Sequence, residues 1–321
     1  MRIFMLGATG TIGRATLRAL VRHGHEVVAY ARPESATQLA AIAPAGVTVR
    51  AGGFRDAAAV SRDGLAGERF DAVVSCMASR SGTPRDAWGV DHQAHLHVLE
   101  AAKAAGVPQF VLLSAICVQK PQLGFQQAKL AFEAALRQSG LVWSIVRPTA
   151  FFKSLSGQLA RVQAGKPFLV FGDGRLTACK PISDDDLGEF MARCLVDADK
   201  RHAVLPIGGP GPALTPREQG EQLFALVGKP AKFSQVPVGM LDAIIGILGT
   251  LGVVIPPLRA KAELAKIGRY YATESMLVWD AARGRYDADA TPEFGRERLV
   301  EHWAKLLAGE RSDDRGEHAV F

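Results

Sequence analysis

Arg2-Ile-Phe-Met-Leu-Gly-Ala-Thr-Gly-Thr-Ile-Gly13 runs from an apolar stretch straight into three glycines spaced three apart. Ile3–Leu6 reads as a buried strand, and Ile12–His23 keeps helical spacing behind it. A glycine motif between a strand and a helix has a physical task. Gly7 permits the tight turn, Gly10 lets backbone N–H groups approach a pyrophosphate, and Gly13 lets the helix pack closely on the sheet. The helix N-terminus adds partial positive charge, and Thr9, Thr11 and Ile12 share the same turn.

Outward from this turn the first half alternates short apolar runs with helical patterns, the rhythm of a parallel sheet covered on both faces. Further strands are predicted at Glu26–Ala31, Val47–Ala51, Ala72–Cys76, Gln109–Leu113 and Val142–Arg147, with helices at His92–Ala105 and Gln122–Ser139. Gly24, Gly106 and Gly140 stand where helices end. The fold class is therefore α/β, a doubly wound parallel sheet of the Rossmann type with a smaller C-terminal substrate region. Residues 1–149 form the nucleotide domain, with a further strand near 202–208, and 150–201 with 209–308 form the substrate region. Thr215-Pro-Arg-Glu218 reads as a helix cap. The charged stretch 309–321 is expected to be a disordered tail.

An NAD-preferring site carries an acidic residue after the second strand to bond the ribose 2′-hydroxyl. Here the chain reads Tyr30-Ala31-Arg32-Pro33, and Arg32 suits a 2′-phosphate, which a guanidinium grips with a planar fork of donors. Arg14, next to Gly13, adds a second charge on that side. NADPH is the expected cofactor. Asp56 is a candidate for the adenine amino group, Cys76 and Met77 for the wall beside the riboses, and Pro148 for the end of the sixth strand.

Leu113-Ser114-Ala115-Ile116-Cys117 ends the fifth strand, and Phe125-Gln-Gln-Ala-Lys129 opens the next helix. The layout is similar to the short-chain dehydrogenase active site, where Ser, Tyr and Lys hold substrate, donate a proton and bind ribose. The phenol is missing. General acid catalysis is worth about 10²–10⁴ in rate, so Phe125 argues against an ordinary carbonyl reductase. Either the chain binds cofactor without turnover, or its substrate accepts hydride with no oxygen to protonate.

Several longer words carry a sharper resemblance. Ser114-Ala-Ile-Cys-Val-Gln-Lys-Pro121, Phe125-Gln-Gln-Ala-Lys-Leu130, Ile145-Val-Arg-Pro-Thr-Ala-Phe-Phe-Lys-Ser154, Phe171-Gly-Asp-Gly174 and Ala178-Cys-Lys-Pro-Ile-Ser183 resemble the divinyl (proto)chlorophyllide 8-vinyl reductases. These are atypical short-chain dehydrogenase relatives acting in (bacterio)chlorophyll biosynthesis. The resemblance is dense from the glycine motif to about Ser183 and more diffuse beyond. It implies hydride transfer from NADPH to a C8 vinyl group, which becomes ethyl while charge spreads into the macrocycle. It leaves Lys129 with the ribose, makes Ser114 and Cys117 candidate catalytic contacts, and makes Phe125, Phe151, Phe152 and Lys153 candidate pigment contacts. Lys180, Arg259 and Lys261 are further candidates for the pigment's propionate, and Met240–Pro257 for an apolar pocket wall. Two alternatives stay open: a non-catalytic NADPH-binding regulator or assembly factor of the NmrA-like group, and an isoflavone-reductase-like enzyme.

Bulk properties fit a soluble globular protein. The chain has 321 residues, 48% hydrophobic and 22% charged, with a net charge of +6. That charge is too diffuse for nucleic acid and favours an anionic ligand. The four cysteines form no Cys-x-x-Cys pair, and His92, His95 and His97 lack carboxylate or thiol company, so they are expected on a helix surface and no metal is expected. Met1 leads almost directly into the first strand, which predicts a cytoplasmic protein with at most a transient, peripheral contact with photosynthetic membranes. Ala243–Pro257 is too short and too broken by Gly and Pro to span one.

Overall fold

The computed structural model describes residues 1–310, so the tail expected from Gly309 lies, from residue 311 on, outside the described residues. Among the described residues there are eleven strands: β1 Arg2–Leu6, β2 Glu26–Ala31, β3 Val47–Ala51, β4 Ala72–Ser75, β5 Gln109–Leu113, β6 Val142–Pro148, β7 Phe168–Phe171, β8 Ala203–Ile207, β9 Phe233–Val236, β10 Val278–Asp280 and β11 Arg285–Asp287. Seven of them make one parallel sheet in the order β3-β2-β1-β4-β5-β6-β8. The register pairs Leu6 with Tyr30 on one side and with Ser75 on the other. The chain therefore winds outward in both directions from β1 and β4, leaving a crevice between their C-terminal ends.

Both sheet faces are apolar because both are covered. Ile3 and Met5 point to one side, with Leu17, Leu20 and Met191; Phe4 and Leu6 point to the other, with Val98 and Phe132. The Thr11–Arg22 helix covers the first face, and the Asp184–Arg193 helix lies against it through Leu187, Phe190 and Met191. A Cβ at Gly188 would stand 2.6 Å from the Ala15 carbonyl carbon, so the two helices meet backbone to backbone. The Asp184–Arg193 helix, from the 150–201 segment, thus helps cover this face of the sheet, because its apolar stripe has the spacing to seal it.

Beyond the sheet, β7 and β9 pair in parallel and β10 and β11 form an antiparallel hairpin. The Pro216–Leu226 helix carries the expected capping box, with Thr215 and Glu218 each satisfying the other's backbone N–H. The Val238–Leu251 and Pro256–Thr273 helices form an antiparallel pair whose far ends are joined by an Arg269–Asp242 ion pair. The second of them is tied to the sheet side. Its Tyr270 hydroxyl reaches the carbonyls of Cys117 at 2.9 Å and Lys120 at 3.0 Å.

Candidate cofactor and catalytic site

The glycine turn has the form its sequence requires. Gly7 has φ +72, and a side chain there would strike the Cys76–Met77 backbone across the crevice. A Cβ on Gly13 would overlap the Gly7 carbonyl oxygen, whereas one on Gly10 would meet nothing closer than 3.6 Å. The turn is thus closed against the helix and open outward, where Thr9 and Gly10 are exposed. Gly10 caps the Thr11–Arg22 helix without a side-chain hydrogen bond, leaving first-turn N–H groups to an anion. Lys153 brings its ammonium to this spot, 2.6 Å from Thr11 Oγ1. These residues fit a dinucleotide's pyrophosphate.

Around the turn, Arg32 follows β2 directly, is half exposed, and leans on Glu34 at 3.3 Å. Arg14 sits in the first turn of the Thr11–Arg22 helix behind Gly13. Asp56 caps the short helix after β3, with one carboxylate oxygen 2.7 Å from Ala59 N–H. Pro148 is buried at the end of β6, level with Ile207 of β8. The Cys76 thiol faces Thr16 Oγ1 at 3.6 Å, and burial pushes its pKa up to about 12.

Lys129 is held where the sheet opens. Its ammonium lies 2.9 Å from Asp91 Oδ1, and Asp91 also accepts Ser79 Oγ–H at 2.6 Å and Ser79 N–H at 3.3 Å. Ser79 stands just past β4, so this pair sits beside the crevice that the Gly7 turn lines. Burial would raise the Asp91 pKa, but the Lys129 charge and the Ser79 and Lys129 hydrogen bonds hold it below the usual carboxylate range. Phe125, four residues before Lys129 on the same helix face, is buried with Ala87, Ile116, Cys117 and Tyr270.

His95 corrects the surface reading of the three histidines. It is buried beneath Lys129, donating from Nδ1 to the Val90 carbonyl at 2.9 Å while Nε2 takes Ser75 Oγ–H at 2.8 Å. Desolvation lowers its pKa to about 4, so the ring is neutral at pH 7. The helix period turned it toward β4, which polar character alone would not reveal. His97 bonds the Phe54 carbonyl at 2.8 Å, and among the described residues no group of His, Cys, Asp and Glu is arranged to hold a metal ion.

Other expected contacts are placed differently. Ser114 turns its hydroxyl 2.5 Å from Glu133, a buried carboxylate that is also paired with Arg147. Cys117 is buried, and burial raises its pKa, so the thiol keeps its proton. Two phenols stand near it: the Tyr271 hydroxyl 3.9 Å from the Cys117 sulfur, and the Tyr270 hydroxyl 2.9 Å from its carbonyl oxygen. Phe152 is 1% exposed and packs with Leu159, Phe224 and Trp303, a core position; Phe151 is only partly buried and bridges Ile182. Lys180 is likewise interior, bonded to Glu293 at 2.6 Å and the Thr291 carbonyl at 3.2 Å. Sequence reading missed Asp91, Ser79, Glu133 and Tyr271, all of which act at long sequence separation.

A family described as NAD(P)H-binding matches residues 7–198. A relative from Oryza sativa subsp. indica, named divinyl chlorophyllide a 8-vinyl-reductase, chloroplastic, is 47% identical over 99% of this chain and 82% of its own. The Arabidopsis thaliana protein of the same name is 45% identical over 96% of this chain and 77% of its own. Among solved structures, an NADPH-dependent quinone oxidoreductase from Escherichia coli superposes with a TM-score of 0.69, covering 96% of this chain and 100% of its own. At 21% identity that likeness concerns the fold alone.

Proposed function

The chain belongs to the divinyl chlorophyllide a 8-vinyl-reductase family, and on that premise we propose that it reduces the C8 vinyl group of divinyl chlorophyllide a, or of its protochlorophyllide counterpart, to ethyl. NADPH supplies the hydride when bound. The observation that carries the proposal is Phe125 beside Lys129. An ammonium has three N–H donors, and Asp91 takes one, so two remain for a nicotinamide ribose. The phenyl ring offers no proton, which suits a vinyl group conjugated to a macrocycle that absorbs charge. A carbonyl substrate would need the missing acid.

Arg32, with Arg14, is the basis for NADPH over NADH. We assign Lys153 to the pyrophosphate rather than to the pigment, because its ammonium rests against Thr11. Phe125 and Phe151 remain the proposed pigment contacts. We assign residues 1–149, 202–208 and the Asp184–Arg193 helix to the cofactor half, and the rest through 308 to the pigment side. The regulator reading is not favoured, since relatives spanning nearly the whole chain are named reductases. Among the described residues no helix is long and apolar enough to cross a membrane, and the proposed contact with photosynthetic membranes is peripheral and transient.

Incubation with NADPH and divinyl chlorophyllide a tests the function. The expected result is an ethyl product with a blue-shifted Soret band and one NADPH consumed per pigment. Tight NADPH binding with no consumption in the presence of pigment would overturn it.

A further inference from the structure

We propose that the antiparallel pair Val238–Leu251 and Pro256–Thr273 is a wedge that seats in the interface of an anionic bilayer, which gives the membrane contact proposed above a definite element. The Val238–Leu251 helix has no buried residue, and its outward face carries Met240, Ile244, Ile247 and Leu251 in helical register. The connecting tip is more open still: Val253 is 80% and Val254 82% exposed. Contiguous apolar surface of this kind on a soluble protein marks an interaction site.

The charges say which partner. Arg259 and Lys261 follow the tip, are exposed, and have no partner among the described residues. From Val238 to Leu258 the one acidic residue is Asp242, at the far end of the first helix, already paired with Arg269. Glu263 is paired with Lys266 at 2.8 Å. Apolar residues at the tip with free cations just behind them match the layering of acyl chains beneath anionic headgroups. A second copy of the chain fits less well, because a two-fold contact sets the patch against itself and brings Arg259 and Lys261 to face like charge with no free carboxylate.

Flotation with the full chain tests this, using vesicles of phosphatidylcholine alone or with a quarter phosphatidylglycerol. Binding is expected to be at least tenfold tighter to the anionic vesicles and to weaken in 0.5 M NaCl; Arg259→Ala/Lys261→Ala should lose roughly thirtyfold. Val253→Asp/Val254→Asp should lose at least tenfold while NADPH affinity stays at the parent value, which verifies the fold. A Val253→Trp probe should shift its emission to the blue when anionic vesicles are added. If the parent floats but the aspartate variant floats equally, the wedge is overturned and the membrane contact stands elsewhere. If the parent fails to float, both fall. Conversion of a parent dimer to monomer by the aspartate pair, seen in sedimentation, would overturn the lipid assignment in favour of self-association.

Discussion

Replacing Lys129 with methionine tests the centre of the site, because it keeps the side-chain volume and removes the charge. Asp91 would then be an uncompensated carboxylate in a place where its side chain is 0% exposed and that of Lys129 only 13%. Removing one partner of such a pair costs about 3–5 kcal/mol. With an unfolding entropy of ~0.65 kcal/mol/K for a chain this long, the loss corresponds to roughly 5–8 °C in Tm. Scanning calorimetry or a thermal melt of the unliganded protein at pH 7 reads it directly. Asp91→Asn in the same background should restore at least half, since a neutral amide needs no counter-charge. The pH dependence follows from the signs. In the parent, the depressed Asp91 pKa contributes stability that is present above the unfolded value near 3.9 and is lost as pH falls through the lower folded value. In Lys129→Met desolvation remains, opposed only by the Ser79 hydrogen bond and the smallest contribution, from His95, so the folded pKa is expected to rise above the unfolded one and acid to relieve the strain. The Tm gap should therefore narrow between pH 7 and 5. A folded Lys129→Met protein melting within ~1 °C of the parent would refute the reasoning.

His95, with a folded pKa of about 4 below the unfolded 6.5, contributes stability present above pH 6.5 and lost as pH falls toward 4. Urea unfolding should show a loss of roughly 2 kcal/mol between pH 6.5 and 5, flattened in His95→Gln. Gly13→Ala forces a Cβ into the Gly7 carbonyl, so NADPH affinity should drop at least tenfold in fluorescence titration, with or without loss of soluble yield. Arg32→Ala should raise the KM for NADPH about tenfold and leave that for NADH within twofold; equal effects on both would remove Arg32 from the 2′-phosphate. Phe125→Tyr should not accelerate vinyl reduction, and a tenfold gain in kcat would mean that proton donation limits turnover.

The parallel sheet was legible because strand and helix periods are local, and because Gly7, Gly10 and Gly13 answer to steric demands within one turn. The capping box at Thr215 and Glu218 was legible for the same reason. What sequence could not supply was the pairing of distant polar groups. Asp91 lies 38 residues before Lys129, and nothing in Val-Asp-His marks it as buried. Ser114 matched a family position, yet its hydroxyl partner, Glu133, is set by how the Gly124–Arg137 helix packs on β6. Sequence offers Lys153 to the pigment by its charge alone; only the path of the chain after β6 shows that its ammonium rests beside Thr11 at the glycine turn.

The backbone contact at Gly188 has a consequence for kinetics. A helix that meets its neighbour backbone to backbone at Gly188, with Leu187, Phe190 and Met191 packed around that point, has little room to rock, so the turn at its N-terminus keeps its shape between turnovers. Cofactor exchange then requires little ordering of the Gly7–Gly13 turn. A bulkier residue at position 188 would slow capture of NADPH from solution before it changed anything at Lys129.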